Sequence, residues 1–268
     1  MSPLRDDTAK QLARLLSRHK LDNPWSDRPG TSTRVLYSTA DLYSTERLDV
    51  HEELIAEVLA TQAGVTADGT LVVVTAGVPG AGKSTAVARR PELVGCRHID
   101  ADDFKDGLLV RARDEGLLDG WLTETLGDGR PVAARELASF VHAESTVIAA
   151  ASRDAALERG ENLIVHGTLA HPTTIDDLLG AFDLAGYERI RIIDVEVPRE
   201  VAVERSLARW WDGRTGDDPL GGRFVPPADI ERYYPKGAVE SITRANAEEF
   251  ARRAEALEWD VTLEYVDA

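Results

Sequence analysis

A glycine-rich segment in the first third of the chain has the residue types and spacing of a phosphate-binding loop. It follows an apolar run at residues 71–76 and matches the pattern G-x-x-x-x-G-K-[ST] in full. The matching residues are Gly77, Val78, Pro79, Gly80, Ala81, Gly82, Lys83, Ser84 and Thr85. Glycines let the backbone wrap closely around phosphate groups, Lys83 can reach the β- and γ-phosphates, and the Ser84 hydroxyl can ligate Mg²⁺. The segment predicts a loop that binds ATP and Mg²⁺, with a ligand-free turn between strand and helix as the alternative.

The next predicted strand covers residues 96–100, and three carboxylates, Asp100, Asp102 and Asp103, lie at its end and just after it. We expect these carboxylates to lie at the carboxyl edge of the sheet, beside the phosphate loop. A carboxylate placed there can align the hydroxyl group of an acceptor and take its proton. Asp102 is the preferred catalytic base, and Asp103 is the preferred cap of the helix that follows. Asp100 and Asp102 share a face if the strand continues through them.

Four arginines flank or lie within a segment rich in glycine, proline and aspartate, residues 212–228. Such a composition predicts a mobile loop that acts as a lid. Arginines on a lid can close over a transferring phosphoryl group and neutralise its developing charge. Arg209 and Arg223 bracket the segment and are the preferred catalytic arginines. Arg205 and Arg214 are interpreted as solvated helix arginines.

The order of apolar patterns after about residue 68 predicts an α/β fold of the P-loop NTPase or kinase type. Its central sheet should be mainly parallel, with helices on both faces. Strands are expected at residues 71–76, 96–100, 162–166, 189–197 and 261–266, the first central and the last at an edge. Helices are expected at residues 132–159, 175–184, 201–211 and 238–257, with Gly186 as a stop signal.

The first 62 residues are interpreted as an N-terminal helical extension, and residues 63–268 as the P-loop kinase domain with its lid. The extension should hold an amphipathic helix at about residues 8–19 and a loop at residues 22–45. A second helix should begin at Asp49, because Glu52 three places on would complete a capping box.

Composition narrows the choice of partner and location. Acidic residues outnumber basic ones by 47 to 31, and the net charge of −16 disfavours nucleic acid as a partner. No apolar run approaches the roughly 18–20 residues that cross a bilayer, and the charged start lacks the apolar stretch of a secretory signal, so no membrane association is expected. Cys96 is the single cysteine, which fits a reducing compartment. We therefore expect a cytoplasmic protein.

Taken together, the motifs between about residues 68 and 235 resemble the zeta toxin family of P-loop kinases. They read, in order, GVPGAGKST, IDADDFK, NLIVHGTL, VPREVAVERSLARW and GGRFVP. The resemblance implies that ATP phosphorylates the sugar 3-hydroxyl of UDP-N-acetylglucosamine, and that a small helical antitoxin is the inhibiting partner, as in many members. The positions that match the family's functional residues are Lys83 and Ser84 for ATP and Mg²⁺, Asp102 for the base, Thr168 for the acceptor pocket, and Arg209 and Arg223 for phosphate.

His166 departs from the family pattern, because members commonly have an acidic residue before Gly-Thr at this position. An imidazole changes both the charge and the hydrogen bonds offered to an acceptor. A buried neutral histidine at a strand end is the alternative interpretation. With His166 in place, an antibiotic or nucleoside phosphotransferase stays open beside the UDP-sugar kinase.

Other readings also stay open. A polynucleotide 5′-hydroxyl kinase shares the phosphate loop and the aspartate, although the net charge counts against it. A regulatory NTP-binding switch would use the loop without an acceptor, and for it Asp102 would be dispensable. Residues 1–60 are either packing helices, which we prefer, or a self-inhibitory segment that replaces a separate antitoxin.

Overall fold

A computed structural model describes residues 3–268 of the chain. The strands are β1 (Ser38–Thr39), β2 (Leu42–Tyr43), β3 (Val72–Ala76), β4 (Arg97–Ile99), β5 (Leu163–Val165), β6 (Arg189–Glu196) and β7 (Asp260–Asp267). The helices are α1 (Pro3–His19), α2 (Thr33–Tyr37), α3 (Thr45–Ala60), α4 (Lys83–Ala88), α5 (Ala101–Asp114), α6 (Asp119–Leu122), α7 (Ser139–Glu158), α8 (Pro172–Ala185), α9 (Arg199–Thr215), α10 (Pro227–Glu231) and α11 (Ile242–Glu255). Short 3-10 helices cover Pro91–Leu93 and Ala134–Leu137. Within the described range, no helix has both the length and the hydrophobicity to span a bilayer.

Five strands form one parallel sheet in the order β4-β5-β3-β6-β7. β3 lies at the centre and all five of its residues are buried, as expected for an apolar run covered on both faces. β7 lies at the edge, and its residues alternate between exposed and partly buried. The predicted α/β class with a parallel central sheet is confirmed.

One compact unit consists of residues 61–100, 150–206 and 227–268. It contains the parallel sheet, and α11 packs against β6, β7 and α8. Phe182 of α8 and Phe250 of α11 are fully buried in its core. α8 begins with Pro172 in its first turn and ends at Gly186, whose φ of 75° confirms the predicted stop signal.

A second compact unit consists of residues 3–60, 101–149 and 207–226. Within it α1 buries Leu12, Leu15 and Leu16, and α5 packs against α3 and against the 3-10 helix Ala134–Leu137. Residues before position 60 therefore share a core with later parts of the chain. The assignment of a functional kinase domain to residues 63–268 stays a prediction.

A buried charge cluster ties α3 to α7 in the second unit. Arg47 contacts the Glu144 carboxylate through Nε at 2.5 Å and Nη2 at 2.9 Å. His51 Nε2 lies 2.7 Å from the same carboxylate. All three side chains are buried, so Glu144 depends on α3 for its counter-charge.

The predicted start of the second helix is wrong. α3 begins at Thr45, where the hydroxyl of Ser44 accepts a hydrogen bond from the Arg47 N–H at 3.2 Å. Asp49 and Glu52 therefore lie inside the helix and form no capping box. A serine hydroxyl is as good an N-cap as an aspartate, so the upstream residue starts the helix.

Other predicted boundaries also change. The predicted loop at residues 22–45 contains α2 and the antiparallel pair β1–β2. The helix expected from residue 132 begins at Ser139, after a 3-10 turn. α9 extends to Thr215, so the first turn of the predicted lid is helical and the loop proper covers residues 216–226.

Candidate functional site

The loop between β3 and α4 has a backbone conformation that favours glycine at three positions. The φ angles are 137° at Gly77, 85° at Gly80 and 101° at Gly82. A Cβ atom on Gly80 would lie well inside 3.0 Å of the Ala202 carbonyl oxygen in α9. The loop is therefore packed tightly on α9, and its glycines leave the backbone free of side chains, as phosphate binding requires.

Lys83 is the first residue of α4, and its ammonium group turns back over the loop. Nζ donates to the carbonyl oxygens of Gly77 at 2.7 Å and Val78 at 3.2 Å. The neighbouring Ser84 is exposed, so its hydroxyl is open to a ligand. The first N–H groups of a helix have no acceptor within the helix and can face an anion. The loop thus offers a cation and backbone donors, which fits the polyphosphate of a nucleotide.

Arg205 of α9 also reaches the phosphate loop. Its Nη1 donates to the Ala81 carbonyl oxygen at 3.4 Å. The helical spacing from Ala202, which packs at Gly80, to Arg205 places this side chain over the loop. Arg205 is exposed, as the sequence interpretation expected, and it makes this contact with the phosphate loop in addition.

Thr168, predicted for the acceptor pocket, lies in the segment that follows β5. Its carbonyl oxygen accepts from the Gly77 N–H at 3.2 Å, and its side chain is hydrogen-bonded to Tyr233. The Thr75 hydroxyl accepts from the Gly167 N–H at 3.1 Å. The structure therefore brings Thr168 next to the start of the phosphate loop.

His166 is stacked on His98 at the carboxyl ends of β5 and β4. The His98 Nδ1 and His166 Nε2 atoms are 2.9 Å apart, and the ring centroids are 5.1 Å apart. Burial lowers the pKa of His98, while the charge of Asp100 acts in the opposite direction. His166 is partly buried within a histidine pair, an arrangement that the sequence interpretation did not include.

Asp102, the predicted base, lies in the first turn of α5, in the second unit. Its carboxylate is paired with two cationic side chains. Its Oδ1 is 2.7 Å from Lys105 Nζ, three residues on, and its Oδ2 is paired with Arg223. Arg223 Nη2 also donates to the Asp102 carbonyl oxygen at 3.2 Å. Lys105 was given no role from the sequence, although the i,i+3 spacing was a visible signal.

The cations keep the Asp102 carboxylate ionised. Burial alone would raise the pKa of this carboxyl, but the positive charges of Lys105 and Arg223 outweigh burial and lower the pKa to about 2. Arg209, exposed on α9, acts in the same direction on that pKa. Asp102, Arg209 and Arg223 therefore form one electrostatic cluster, with Asp102 charged at any pH near neutral.

His142 of α7 belongs to the same cluster and was not singled out from the sequence. Burial lowers the pKa of His142 to about 4, and the charges of Lys105 and Arg223 act in the same direction. The imidazole is therefore neutral near pH 7. No local spacing links position 142 to Asp102, so only the fold could reveal this neighbour.

Two expectations about the carboxylates near Asp102 are wrong. β4 ends at Ile99, so the strand does not continue through Asp100, and Asp102 is helical. Asp103 lies inside the first turn of α5, which starts at Ala101, and is not the cap that precedes the helix. A carboxylate in the first turn still interacts favourably with the helix dipole.

Arg214, at the end of α9, is buried although the sequence interpretation places it in solvent. Its guanidinium pairs with Glu136 at 2.7 Å and with Asp128 at 2.8 Å. Nη2 also donates to the Arg130 carbonyl oxygen at 3.0 Å. Arg214 is thus a structural residue that fixes the end of α9, immediately before the loop of residues 216–226.

Solved structures are similar to this chain in fold. The AvrRxo1-ORF1:AvrRxo1-ORF2 complex with sulphate ions aligns over 91% of this chain and 69% of its own, with a TM-score of 0.57 and 16% identity. The same complex with ATP aligns over 90% and 69%, with a TM-score of 0.56 and 16% identity. A structure from the PezAT chromosomal toxin–antitoxin system of Streptococcus pneumoniae aligns over 84% and 78%, with a TM-score of 0.53 and 13% identity. At these identities the likeness shows the fold alone.

The family model described as Zeta toxin matches residues 129–257, a range that contains His166, Thr168, Arg209 and Arg223. The phosphate loop precedes this range. No curated protein matches the chain significantly. The match confirms, over residues 129–257, the resemblance to the zeta toxin family that the sequence predicted.

Proposed function

We propose that this chain is an ATP-dependent kinase of the zeta toxin type, which transfers the γ-phosphate of ATP to a hydroxyl group of a UDP-activated amino sugar such as UDP-N-acetylglucosamine. The observation that carries the proposal is the presence, in one chain, of a complete phosphate loop with Lys83 and of an ionised Asp102 carboxylate flanked by Arg209 and Arg223. The family match over residues 129–257 supports the same class of reaction.

The phosphate loop, residues 77–85, is the proposed ATP site. Its glycine backbone and the Lys83 ammonium suit the phosphates, and the exposed Ser84 hydroxyl would ligate Mg²⁺. Among residues 3–268 no cluster of three or more histidine, cysteine or acidic side chains could hold a metal ion. A single protein hydroxyl is consistent with Mg²⁺, which in such sites is bound largely by water and substrate phosphates. When bound, Mg-ATP supplies the phosphoryl group and neutralises part of its charge.

Asp102 would align the acceptor hydroxyl and take its proton late in the transfer. Its low pKa keeps the carboxylate ionised, so it can accept a hydrogen bond from the hydroxyl at any physiological pH. Lys105 and Arg223 hold one carboxylate oxygen each, so the hydroxyl has to share these oxygens. Arg209 and Arg223 would then neutralise charge that develops on the phosphoryl group.

The acceptor is proposed from the resemblance and from the residues after β5. Thr168, fixed beside the loop by its carbonyl bond to Gly77, would contact the acceptor. His166 and His98 offer a hydrogen-bonded imidazole pair where the family commonly has a carboxylate. An imidazole nitrogen can donate or accept a hydrogen bond according to the tautomer, so a histidine at this position suits the amide or hydroxyl of an amino sugar.

A protein antitoxin is the proposed partner, with self-inhibition by residues 1–60 as the alternative. The solved structures that share the fold include the AvrRxo1-ORF1:AvrRxo1-ORF2 complex and a member of the PezAT toxin–antitoxin system. The net charge of −16 disfavours nucleic acid as a partner. A cytoplasmic location is part of the proposal, since the reaction consumes ATP and the single cysteine, Cys96, is free.

Transfer of labelled γ-phosphate from Mg-ATP tests the proposal directly. Purified protein would be incubated with UDP-N-acetylglucosamine, other UDP-sugars, a nucleoside, an aminoglycoside antibiotic, a 5′-hydroxyl oligonucleotide or no acceptor. We expect a labelled UDP-sugar that is lost with Lys83→Ala and with Asp102→Asn. Asp103→Asn is the matched control, because this exposed carboxylate lies in the same helical turn and should be dispensable.

The other possible results of the transfer assay distinguish the alternative functions. Label on a nucleoside, an antibiotic or the oligonucleotide would keep the kinase and replace the acceptor. Phosphate release without any labelled acceptor, unchanged by Asp102→Asn, would favour the NTP-binding switch. Equal turnover of Asp102→Asn and wild-type protein on a UDP-sugar would remove Asp102 from the role of base.

A further inference from the structure

Arg135 makes several polar contacts with the loop of residues 216–226. Arg135 Nη1 is 2.6 Å from the Asp218 carboxylate and donates to the Gly221 carbonyl oxygen at 2.9 Å. The backbone N–H of Arg135 donates to the Leu220 carbonyl oxygen at 2.9 Å. Three of the loop's residues are therefore held at a single position.

The other edge of the Arg135 guanidinium pairs with a carboxylate of α5. Nε lies 2.9 Å from Asp106 Oδ1 and Nη2 lies 2.8 Å from Asp106 Oδ2, a bidentate pair. Arg223, carried by the loop, lies 3.7 Å from the same Asp106 carboxylate and is paired with Asp102 one turn before it. Arg135 and Arg223 thus meet α5 side by side.

The same loop is packed by its apolar residues. Leu220 and Phe224 are buried, and the Phe224 ring lies edge-on to Trp210 with centroids 4.9 Å apart. A Cβ atom on Gly221 would collide with the Ala133 side chain, two positions before Arg135. The loop therefore lies directly on the turn that carries Arg135.

We propose that Arg135 is a positioning residue for the phosphoryl-transfer site, because it holds the 216–226 loop in the conformation that places Arg223 on Asp102. Arg135 touches neither Asp102 nor any proposed ligand residue, so it acts through the loop and through Asp106. A planar guanidinium suits this role, since one edge takes the carboxylate of α5 while the remaining nitrogen takes the loop. The catalytic consequence rests on the proposed kinase function, whereas the tether does not.

Limited trypsin digestion tests whether Arg135 tethers the loop, and its readout does not require kinase activity. Trypsin cleaves after Arg223 only when the loop opens, because its side chain is paired and largely buried. Arg135→Ala should raise the rate of this cleavage by about 10-fold or more, and Arg135→Lys by less, because lysine cannot bridge both partners. Arg111→Ala, which removes an ion pair of α5 with Glu53, is the control and should not alter cleavage at Arg223.

A second pair of variants keeps the test valid if Arg135→Ala fails to fold. Asp218→Asn removes only the loop side of the tether, and Asp217→Asn is its exposed neighbour in sequence. Cleavage after Arg223 should rise for Asp218→Asn and not for Asp217→Asn, with wild-type circular dichroism for both. Equal cleavage rates for all variants and wild type would overturn the tether.

Kinetics then test the catalytic consequence. In Arg135→Ala and Asp218→Asn we expect kcat to fall by roughly 10- to 100-fold, because misplacement by about 1 Å has that effect, while KM for ATP changes less than about 3-fold. An increase in cleavage with wild-type kcat would overturn the positioning role. If wild-type protein phosphorylates none of the acceptors, the proposed kinase function fails, and the digestion alone decides whether Arg135 tethers the loop.

Discussion

Replacing Arg214 by alanine should destabilise the protein far more than the loss of a surface ion pair. The side chains of Arg214, Asp128 and Glu136 are 1%, 4% and 0% exposed, and the guanidinium is paired with both carboxylates. Alanine would leave two buried carboxylates without their counter-ion. Removing one partner of a buried ion pair costs about 3–5 kcal/mol, and with two carboxylates affected we expect about 5 kcal/mol. That is a third or more of the roughly 5–15 kcal/mol by which a protein is stable.

Urea unfolding followed by tryptophan fluorescence measures this loss. Trp210 is a suitable reporter, because it is fully buried and its Nε1 donates to Glu136 at 2.7 Å. In thermal unfolding the same loss should lower Tm by roughly 10–20 °C, at about 2–4 °C for each kcal/mol.

The stability that Arg214→Ala loses should also depend on pH. Burial already raises the pKa of Glu136, and the loss of Arg214 raises this pKa further. A carboxyl whose folded pKa is raised loses stability as pH rises through that value. The deficit of Arg214→Ala should therefore be smaller at pH 5 than at pH 7.

Arg113→Ala is the control for this prediction. Arg113 pairs with Asp114 at the surface, where their side chains are 41% and 62% exposed. Its loss should cost less than about 1 kcal/mol. If Arg214→Ala cost no more than this control, the reasoning that Arg214 compensates two buried charges would be refuted.

Three further predictions concern pH, nucleotide binding and the α3–α7 charge cluster. The His142 pKa of about 4 means that wild-type stability falls as pH drops from about 6.5 to about 4, by up to about 3 kcal/mol. His142→Asn should lack this slope in urea unfolding at several pH values, and an unchanged slope would contradict the burial of the imidazole. Gly80→Ala should abolish binding of an ATP analogue in calorimetry, because φ is 85° and the Ala202 carbonyl leaves no room for Cβ, whereas wild-type affinity would contradict the tight packing of the loop. Glu144→Gln should cost about 3 kcal/mol in urea unfolding, since the buried Arg47 loses its carboxylate partner, and a loss below about 1 kcal/mol would count against a charged pair.

Features that depend on short stretches of sequence could be predicted. The apolar run before the phosphate loop identified the central strand, and the glycines of the loop occupy the positive φ angles that their spacing implied. Gly186 ends α8 as expected, because its left-handed conformation disfavours other residues. Each of these features is decided within about ten residues of the chain.

Features that depend on distant partners could not be predicted. The sequence pattern places Arg214 in solvent, whereas its partners Asp128 and Glu136 are 86 and 78 residues away. Arg135 gave no local signal for the same reason, since Asp218 is 83 residues away. Helical periodicity shows which residues share a face, but it does not identify the carboxylate that a buried arginine will meet.

The Glu144 cluster determines how inhibition by the N-terminal segment could be relieved. Arg47 and His51 both lie before residue 60, and they supply the counter-charge and hydrogen bonds of a carboxylate that is 0% exposed. Proteolytic removal of residues 1–60 would strip Glu144 of these partners and damage the unit that carries Asp102. Activation by cleavage that removes α3 is therefore incompatible with this fold, and a chain shortened at residue 60 would report on unfolding instead of inhibition. Any release would have to leave α3 in place, so substitutions on its exposed face are the appropriate way to look for it.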